Sequence, residues 1–430
     1  MSDRKQGFET IQIHAGQSAD PATGASAVPI YQTTSFVFES VDSAAEIFSL
    51  EKPGNIYTRI MNPTTDALEQ RLAAMEGGSG ALAFSSGMSA IFFAIQNLAK
   101  CGDEIISIAT LYGGTYTLFS NRLPQQYGIN VRFVDPEDFA ALENAITDKT
   151  RCVFIETLGN PLINIPDIER IAMIAHKHGL PVMADNTFAT GYLIQLRDFG
   201  VDISVHSITK YIGGHGNSIG GAVIDLGTFN WRDNPRFPDF NTPDEAYHGL
   251  VYADKQERAY ITKLRAQSLR DIGAALSPFN AWMFLMGCET LSLRMERHCQ
   301  NAEAIGEYLA AHPDVAWVNY PALPGDAYHE RARKYLPNGC GAIMAFGVKG
   351  GIEACKRFVS ALKLFTLLAN VADSRSLVIH PASTTHSQLS EEQMLSAGVR
   401  PDMIRMSVGL ETIGDLIADL EQALKASQAK

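Results

Sequence analysis

Short apolar runs alternate with amphipathic stretches from about residue 64 to about residue 225. The apolar runs are Ala81–Ser85, Glu104–Ala109, Asn130–Val134, Cys152–Glu156, Pro181–Asp185, Asp202–His206 and Ile219–Ile224. Each has the length of a strand, and the set reads as strands buried on both faces. Helical spacing fills most of the gaps, as in Ile168–His178, and Thr64-Thr65-Asp66 predicts the cap of a helix that runs through Met75 to the stop at Gly77-Gly78. Strands separated by helices imply an α/β layer with a mainly parallel sheet.

The pattern breaks at three places. Residues 1–63 show little periodicity and are rich in Gly, Pro, Ser and Thr; such an arm is ordered only by packing on its own body or on a neighbouring subunit. Residues 226–258 are aromatic, proline-rich and acidic, and a loop of that length is usually a lid or an interface element. Beyond about 273 the text becomes helical around Leu276–Leu309, with strands at Ala342–Gly347 and Ile404–Val408 and a last amphipathic helix over Ile413–Ala426. The expected organisation is an arm (1–63), a large domain (64–272, with the insertion 226–258) and a smaller α/β C-terminal domain (273–430).

A length of 430 residues, with 46% hydrophobic and 19% charged positions, suits two packed domains of a soluble protein. The net charge of −12 argues against nucleic acid or an anionic membrane as partner, and any anionic ligand must be held by local donors. Six cysteines (101, 152, 288, 299, 340, 355) are scattered without a CxxC pair, so they read as reduced thiols. The start carries no apolar leader and Leu276–Gly287 is too short to span a bilayer, so a cytoplasmic location is expected.

Ligands of open α/β sheets bind beyond the carboxyl ends of the strands, which directs attention to the residues that follow each run. After Ala81–Phe84 come Ser86, Gly87, Met88 and Ser89, small residues opening a helix over Ala90–Ala99, a candidate phosphate cradle. Asp185, followed by Asn186 and Thr187, ends another run. Ser207 and Thr209 precede Lys210, which leads into a glycine-rich turn in otherwise apolar text. A lysine in such surroundings has its amine pKa lowered by desolvation, as Schiff-base chemistry requires.

Together these stretches resemble the Cys/Met-metabolism family of enzymes that use pyridoxal 5'-phosphate (PLP), within the aspartate-aminotransferase-like fold type I. The shared segments are Tyr57-Thr58-Arg59, Ser85–Ala90, Leu111-Tyr112-Gly113, Glu156-Thr157 with Asn160-Pro161, Ala184–Thr187, the surroundings of Lys210, His380–Ser383 with Thr385-His386, and Arg405–Glu411. The resemblance implies that Lys210 carries the cofactor and moves protons, that Asp185 pairs with the ring nitrogen, and that Tyr112 stacks on the ring. It implies further cofactor contacts from Ser86, Gly87, Met88, Asn160, Thr187, Ser207 and Thr209, and from Tyr57 and Arg59 across a subunit boundary, which makes a homo-oligomer, commonly a tetramer, the working unit. Arg405, with Asn370 and Tyr57, would take the substrate, Arg405 gripping its carboxylate as a bidentate fork.

Gly213–Gly221, Asn370-Val371, His380–Leu389 and the long insertion resemble the sulfhydrylase branch, and Gly114 stands where methionine γ-lyases carry cysteine. The implied reaction is γ-replacement on O-acetyl-L-homoserine with sulfide, yielding homocysteine for methionine biosynthesis. Cystathionine γ-synthesis, γ-elimination, and PLP binding without turnover are the alternatives; an acetyl or succinyl ester and the sulfur donor are left open. No metal site is expected: His176 and His178 end a helix whose dipole suits cationic tips, and His380 and His386 have no third ligand nearby. Gly214-x-Gly216 fails as a dinucleotide fingerprint because Ile219 stands where the third glycine belongs.

Overall fold

The computed structural model describes residues 6–49, 51–384, 394 and 398–429. Within them the seven apolar runs form one sheet: β1 (Gly80–Phe84), β2 (Glu104–Ile108), β3 (Asn130–Val134), β4 (Thr150–Glu156), β5 (Val182–Asp185), β6 (Ile203–His206) and β7 (Gly221–Asp225). Their order is β1-β7-β6-β5-β4-β2-β3. β2 to β6 are mutually parallel, whereas β7 opposes both β1 and β6. One reversed strand between two others leaves the carboxyl ends of β1 to β6 at a single edge.

All residues of β1, β2, β6 and β7 are buried. The helix Gly87–Gln96 packs on β1, β6 and β7, and Ile168–Lys177 packs on β5. The latter buries Ile168, Ile171, Ala172 and Ala175, the i, i+3, i+4, i+7 stripe that a helix lays on a sheet. A second sheet, in the order β10-β11-β12-β9-β8, is built from β8 (Val315–Asn319), β9 (Ile343–Val348), β10 (Thr366–Leu367), β11 (Leu377–Ile379) and β12 (Ile404–Ser407). The apolar region around Leu276–Leu309 is a pair of helices, Pro278–Glu289 and Leu291–Ala311. No helix among the described residues is long and apolar enough to cross a membrane.

Two helix starts and the lid reading of the insertion need correction. The helix ending at Met75 is capped by Asn62, whose side chain accepts from the Thr64 amide at 3.0 Å, with Pro63 at the first position; Thr64 lies inside it. The helix expected from Ala90 starts at Gly87, because the Ser86 hydroxyl already accepts from the Ser89 amide at 3.1 Å.

The arm contains two short helices, Phe8–His14 and Val41–Phe48, and its root is fastened to its own body. Gln12 exchanges hydrogen bonds with Ser292, and the fully buried Arg71 donates to the Ala15 carbonyl at 2.9 Å and to Gln17 at 2.8 Å. Further along, Val37, Val41, Phe48 and Tyr57 remain exposed.

The insertion 226–258 is no lid. Arg236 donates to the carbonyls of Thr147, Thr150 and His178, Thr228 donates to Asp202, and Lys100 pairs with Asp239. Thr150 starts β4 and Asp202 immediately precedes β6, so the segment covers the amino edge of the sheet, opposite the strand ends that carry the candidate chemistry. It is held there by buried aromatic rings: Trp231 stacks on Phe240 at 4.5 Å and on Tyr260 at 5.5 Å, with Phe237 edge-on. Trp231→Ala is expected to destabilise the protein by about 3–5 kcal/mol. Thermal or denaturant unfolding checks this, while Michaelis constants measured below the transition should stay unchanged.

Candidate active site

The carboxyl edge of the large sheet opens into a cavity of about 720 Å³, which Arg405 lines from β12 and Asn370 from the segment between β10 and β11. At the end of β1, Ser86 caps the helix Gly87–Gln96, so the amides of Gly87 and Met88, in its first turn, have no carbonyl one turn earlier to bond. Gly87 runs against Ser207: a Cβ at position 87 would lie 2.6 Å from the Ser207 Cβ, and one at Gly221 would lie 2.1 Å from the Ser86 carbonyl oxygen. The backbone is therefore drawn in by the absence of side chains, leaving at the cavity wall N–H groups and a Ser207 hydroxyl that have no partner among the described residues.

β4 and β5 end side by side in Glu156 and Asp185, which are register partners. Asp185 accepts from the Thr187 amide at 2.9 Å and has no basic partner within ion-pair distance among the described residues. Burial raises its carboxyl above the ordinary range, partly offset by the Thr187 hydrogen bonds and the charge of His206. The Thr187 hydroxyl accepts from the Ser207 amide at 2.8 Å and so joins the loops after β5 and β6.

Lys210 follows β6 in a helical turn, its amide bonded to the Ser207 carbonyl at 3.1 Å and its carbonyl to the Gly214 amide at 2.7 Å. Burial, with the Arg405 charge adding to it, brings its amine down to about 8. Its ammonium donates to the Asn370 side-chain oxygen. Arg405, on β12, is buried; one guanidinium nitrogen donates to the Asn160 oxygen at 3.0 Å, and it makes no salt bridge among the described residues. Burial alone accounts for its descent to about 10.

The structure thus gathers Ser86, Gly87, Met88, Tyr112, Asn160, Asp185, Thr187, Ser207, Thr209, Lys210, Asn370 and Arg405 around one cavity. Two of these differ from expectation in what they touch. The amide and the hydroxyl of Thr209 both donate to the Gly220 carbonyl, at 3.3 and 3.1 Å, rather than into the cavity, and Asn370 engages Lys210 itself. Tyr57 and Arg59 do not line the cavity of their own chain; they sit on the exposed part of the arm with the Arg59 guanidinium over the Tyr57 ring.

Three contributors carried no assigned role in the sequence. Glu156 accepts from the Tyr112 amide at 2.7 Å. The buried Arg294 donates to the carbonyls of Tyr211, Ile212 and Gly287, clamping the turn after Lys210, and Gly214 (φ +70°) must be glycine because a Cβ would lie 2.1 Å from that guanidinium. Gly114 gives the Tyr112 ring its place, since a Cβ there would lie 2.6 Å from a ring carbon. Register could have flagged Glu156; nothing in local text marks Arg294.

The histidines fall outside the cavity. His176 pairs with Asp202 at 2.8 Å, His178 with Glu143 at 3.1 Å, and His380 with Ser383 and the Pro401 carbonyl. Thr385, His386 and the rest of that motif to Leu389 lie outside the described residues.

In protein free of any bound aldehyde, the Lys210 amine should lose its proton with a midpoint near 8 instead of 10.5. Lowering of the pKa means the neutral, nucleophilic form grows as pH rises through 8. Site-resolved labelling with an amine-selective reagent, as a function of pH, checks this; a midpoint near 10.5 contradicts it.

The sequence profile of the family "Cys/Met metabolism PLP-dependent enzyme" matches residues 9–425. A homocysteine synthase of Schizosaccharomyces pombe is 51% identical, over 99% of this chain and 100% of its own. An O-acetyl-L-homoserine sulfhydrylase of Leptospira meyeri is also 51% identical, over 97% and 96%. A crystal structure of a Campylobacter jejuni chain assigned as an O-acetylhomoserine (thiol)-lyase, carrying N'-pyridoxyl-lysine-5'-monophosphate, superposes with a TM-score of 0.95 at 45% identity. The match covers 98% of this chain and all of that one.

Proposed function

The chain belongs to the Cys/Met metabolism PLP-dependent enzyme family, and from that premise we propose that it exchanges the acetate of O-acetyl-L-homoserine for sulfide, yielding L-homocysteine. The observation that carries this reading is the convergence on one cavity of an amine lowered to about 8, a carboxyl group with no basic partner and a buried guanidinium. The names of the relatives supply the substrates.

The residues present fit PLP. The free amides of Gly87 and Met88, with the Ser86 and Ser207 hydroxyls, would receive its phosphate. Asp185, which lacks a cation of its own, would face the ring nitrogen, Tyr112 would lie against the ring, and Lys210 would attach it. When bound, PLP supplies a conjugated ring that accepts the electron pair left at a substrate carbon.

Arg405 would orient the substrate by its carboxylate, since the hydrogen bond to Asn160 leaves most of its donors free. Lys210, at about 8, is able both to take a proton from the α-carbon and to return one, and Asn370 holds the amine between the two tasks. The C–O bond at the γ-carbon breaks with release of acetate, and a C–S bond to hydrosulfide forms in its place, so the charge balances without an outside oxidant. Arg405 and Asn370 come from residues 273–430 and the remaining groups from 64–272, which supports treating these as the two domains.

A second copy of the chain completes the site in this reading. Tyr57 and Arg59 lie away from their own cavity, and Ile219, which lines it, is 62% exposed; its carbonyl accepts from Asn280 on the helix Pro278–Glu289, where Phe279 and Met286 are exposed as well.

The reaction is tested by supplying the PLP-loaded protein with O-acetyl-L-homoserine and sulfide. Homocysteine and acetate in equal amounts are expected; formation of only α-ketobutyrate from methionine would replace the reading with γ-elimination. Sharing of sites is tested by mixing Arg59→Ala and Lys210→Ala chains, each inactive alone. Reassembled together, they should recover activity at about a quarter of the sites, the share expected for random pairing into dimers.

A further inference from the structure

Glu156 has no part in the reaction just described, yet it connects more of the cavity than any other carboxyl. It ends β4 directly across from Asp185 and is buried. Its two oxygens accept from two loops: Oε1 from the Tyr112 amide at 2.7 Å, Oε2 from the Asn160 amide at 3.3 Å. Asn160 in turn accepts from Arg405 at 3.0 Å. Tyr112 stands just before a helical run from Gly113 through Tyr127, and Asn160 stands in irregular chain after β4, so neither residue lies in a strand ladder.

We propose that Glu156 is a positioning residue that sets Tyr112 and Arg405 in register, one carboxyl fixing the group against the cofactor ring and, through Asn160, the group that takes the substrate carboxylate. The inference rests on the roles given above to Tyr112 and Arg405. A reaction at the α-carbon demands that the ring plane and the carboxylate keep a set angle, and a displacement of about 1 Å between such groups is enough to cost about 100-fold in rate. Two backbone donors on one carboxyl constrain both loops together where separate acceptors would let them drift.

The carboxyl suits this task without a countercharge. Burial first, and the neighbouring Asp185 next, push Glu156 well above the ordinary carboxyl range. Asp185 is raised too, and is drawn back by the Thr187 hydrogen bonds and by His206. Both Glu156 oxygens carry lone pairs that accept from the two amides.

Glu156→Gln keeps the volume and one oxygen but turns an amide NH₂ toward the Asn160 N–H. In PLP-loaded protein, the dissociation constant of L-homoserine, read from the absorbance of the bound cofactor, should rise about tenfold, the worth of one hydrogen bond to a charged group. The Michaelis constant for O-acetylhomoserine should rise alongside it, and that for sulfide should stay unchanged. Glu156→Gln combined with Asn160→Ala should bind homoserine no worse than Asn160→Ala alone, because both cut the same link. Unchanged homoserine binding, multiplicative losses in the double variant, or an equal loss toward sulfide would each overturn the proposal. Should Glu156→Gln fail to fold, Glu156→Asp, which withdraws the carboxyl by one methylene, is held to the same outcomes. Homoserine has no ester to lose, so its binding reports on Arg405 even if O-acetylhomoserine is not turned over; that result would remove the proposed reaction and leave this inference standing.

Discussion

Lys210 is placed by a turn whose following carbonyls are gripped by the buried Arg294, and the placement of that one amine constrains the rest of the site. A lysine head group is strongly hydrated, and enclosing it lowers its pKa by favouring the neutral form. The surroundings that accomplish this also require Gly214 to admit the guanidinium and Gly87 to admit Ser207, so the tight approach of backbone on two sides belongs to one design. Arg405 works in the same direction from the second sheet: it is itself cationic and buried, and its field disfavours a charged lysine.

The carboxyl edge of the sheet concentrates the opposite charge. Asp185 and Glu156 end adjacent strands as register partners, and neither makes a salt bridge among the described residues. Two such groups cannot both ionise at low energetic cost, and burial raises both above the ordinary carboxyl range. Asp185 has the Thr187 amide and the nearby His206, whereas Glu156 accepts from backbone donors in two other loops. The second of these strand ends thereby ties the two loops together.

The inner strands of the large sheet were legible because strands covered on both faces must be apolar throughout. Asn130–Val134 has the expected bounds but is an edge strand with Asn130 and Arg132 exposed, so the expectation that every strand is covered on both sides fails there. The candidate site was legible for a related reason: strand ends converge, so residues 86–88, 185–187 and 207–210 could be grouped without knowing the strand order. The limits had physical causes as well. Asn62 and Ser86 begin their helices earlier than the first apolar repeat because a cap acts through one hydrogen bond, which periodicity does not register. The insertion 226–258 read as a lid or an interface element because of its length, but Trp231, Phe237 and Phe240 supply a satellite core at the far edge of the sheet. Arg294 reads as one more polar position in a long helix, and only the turn it meets 83 residues earlier in the chain reveals its use.

The arm is tied to its own subunit along its length, with the Ile60 carbonyl accepting from Arg265 and the Tyr31 amide donating to Thr64, yet part of its later stretch faces outward. Arg71 and Gln12 secure the root through hydrogen bonds that need no other chain, while Val37, Val41 and Tyr57 present their surface outward. Under the sharing of sites proposed above, an encounter with a second copy would add Tyr57 and Arg59 to a cavity that one chain already shapes. In such an arrangement dilution would silence the enzyme while leaving its secondary structure intact, and subunit concentration becomes a control on turnover separate from stability.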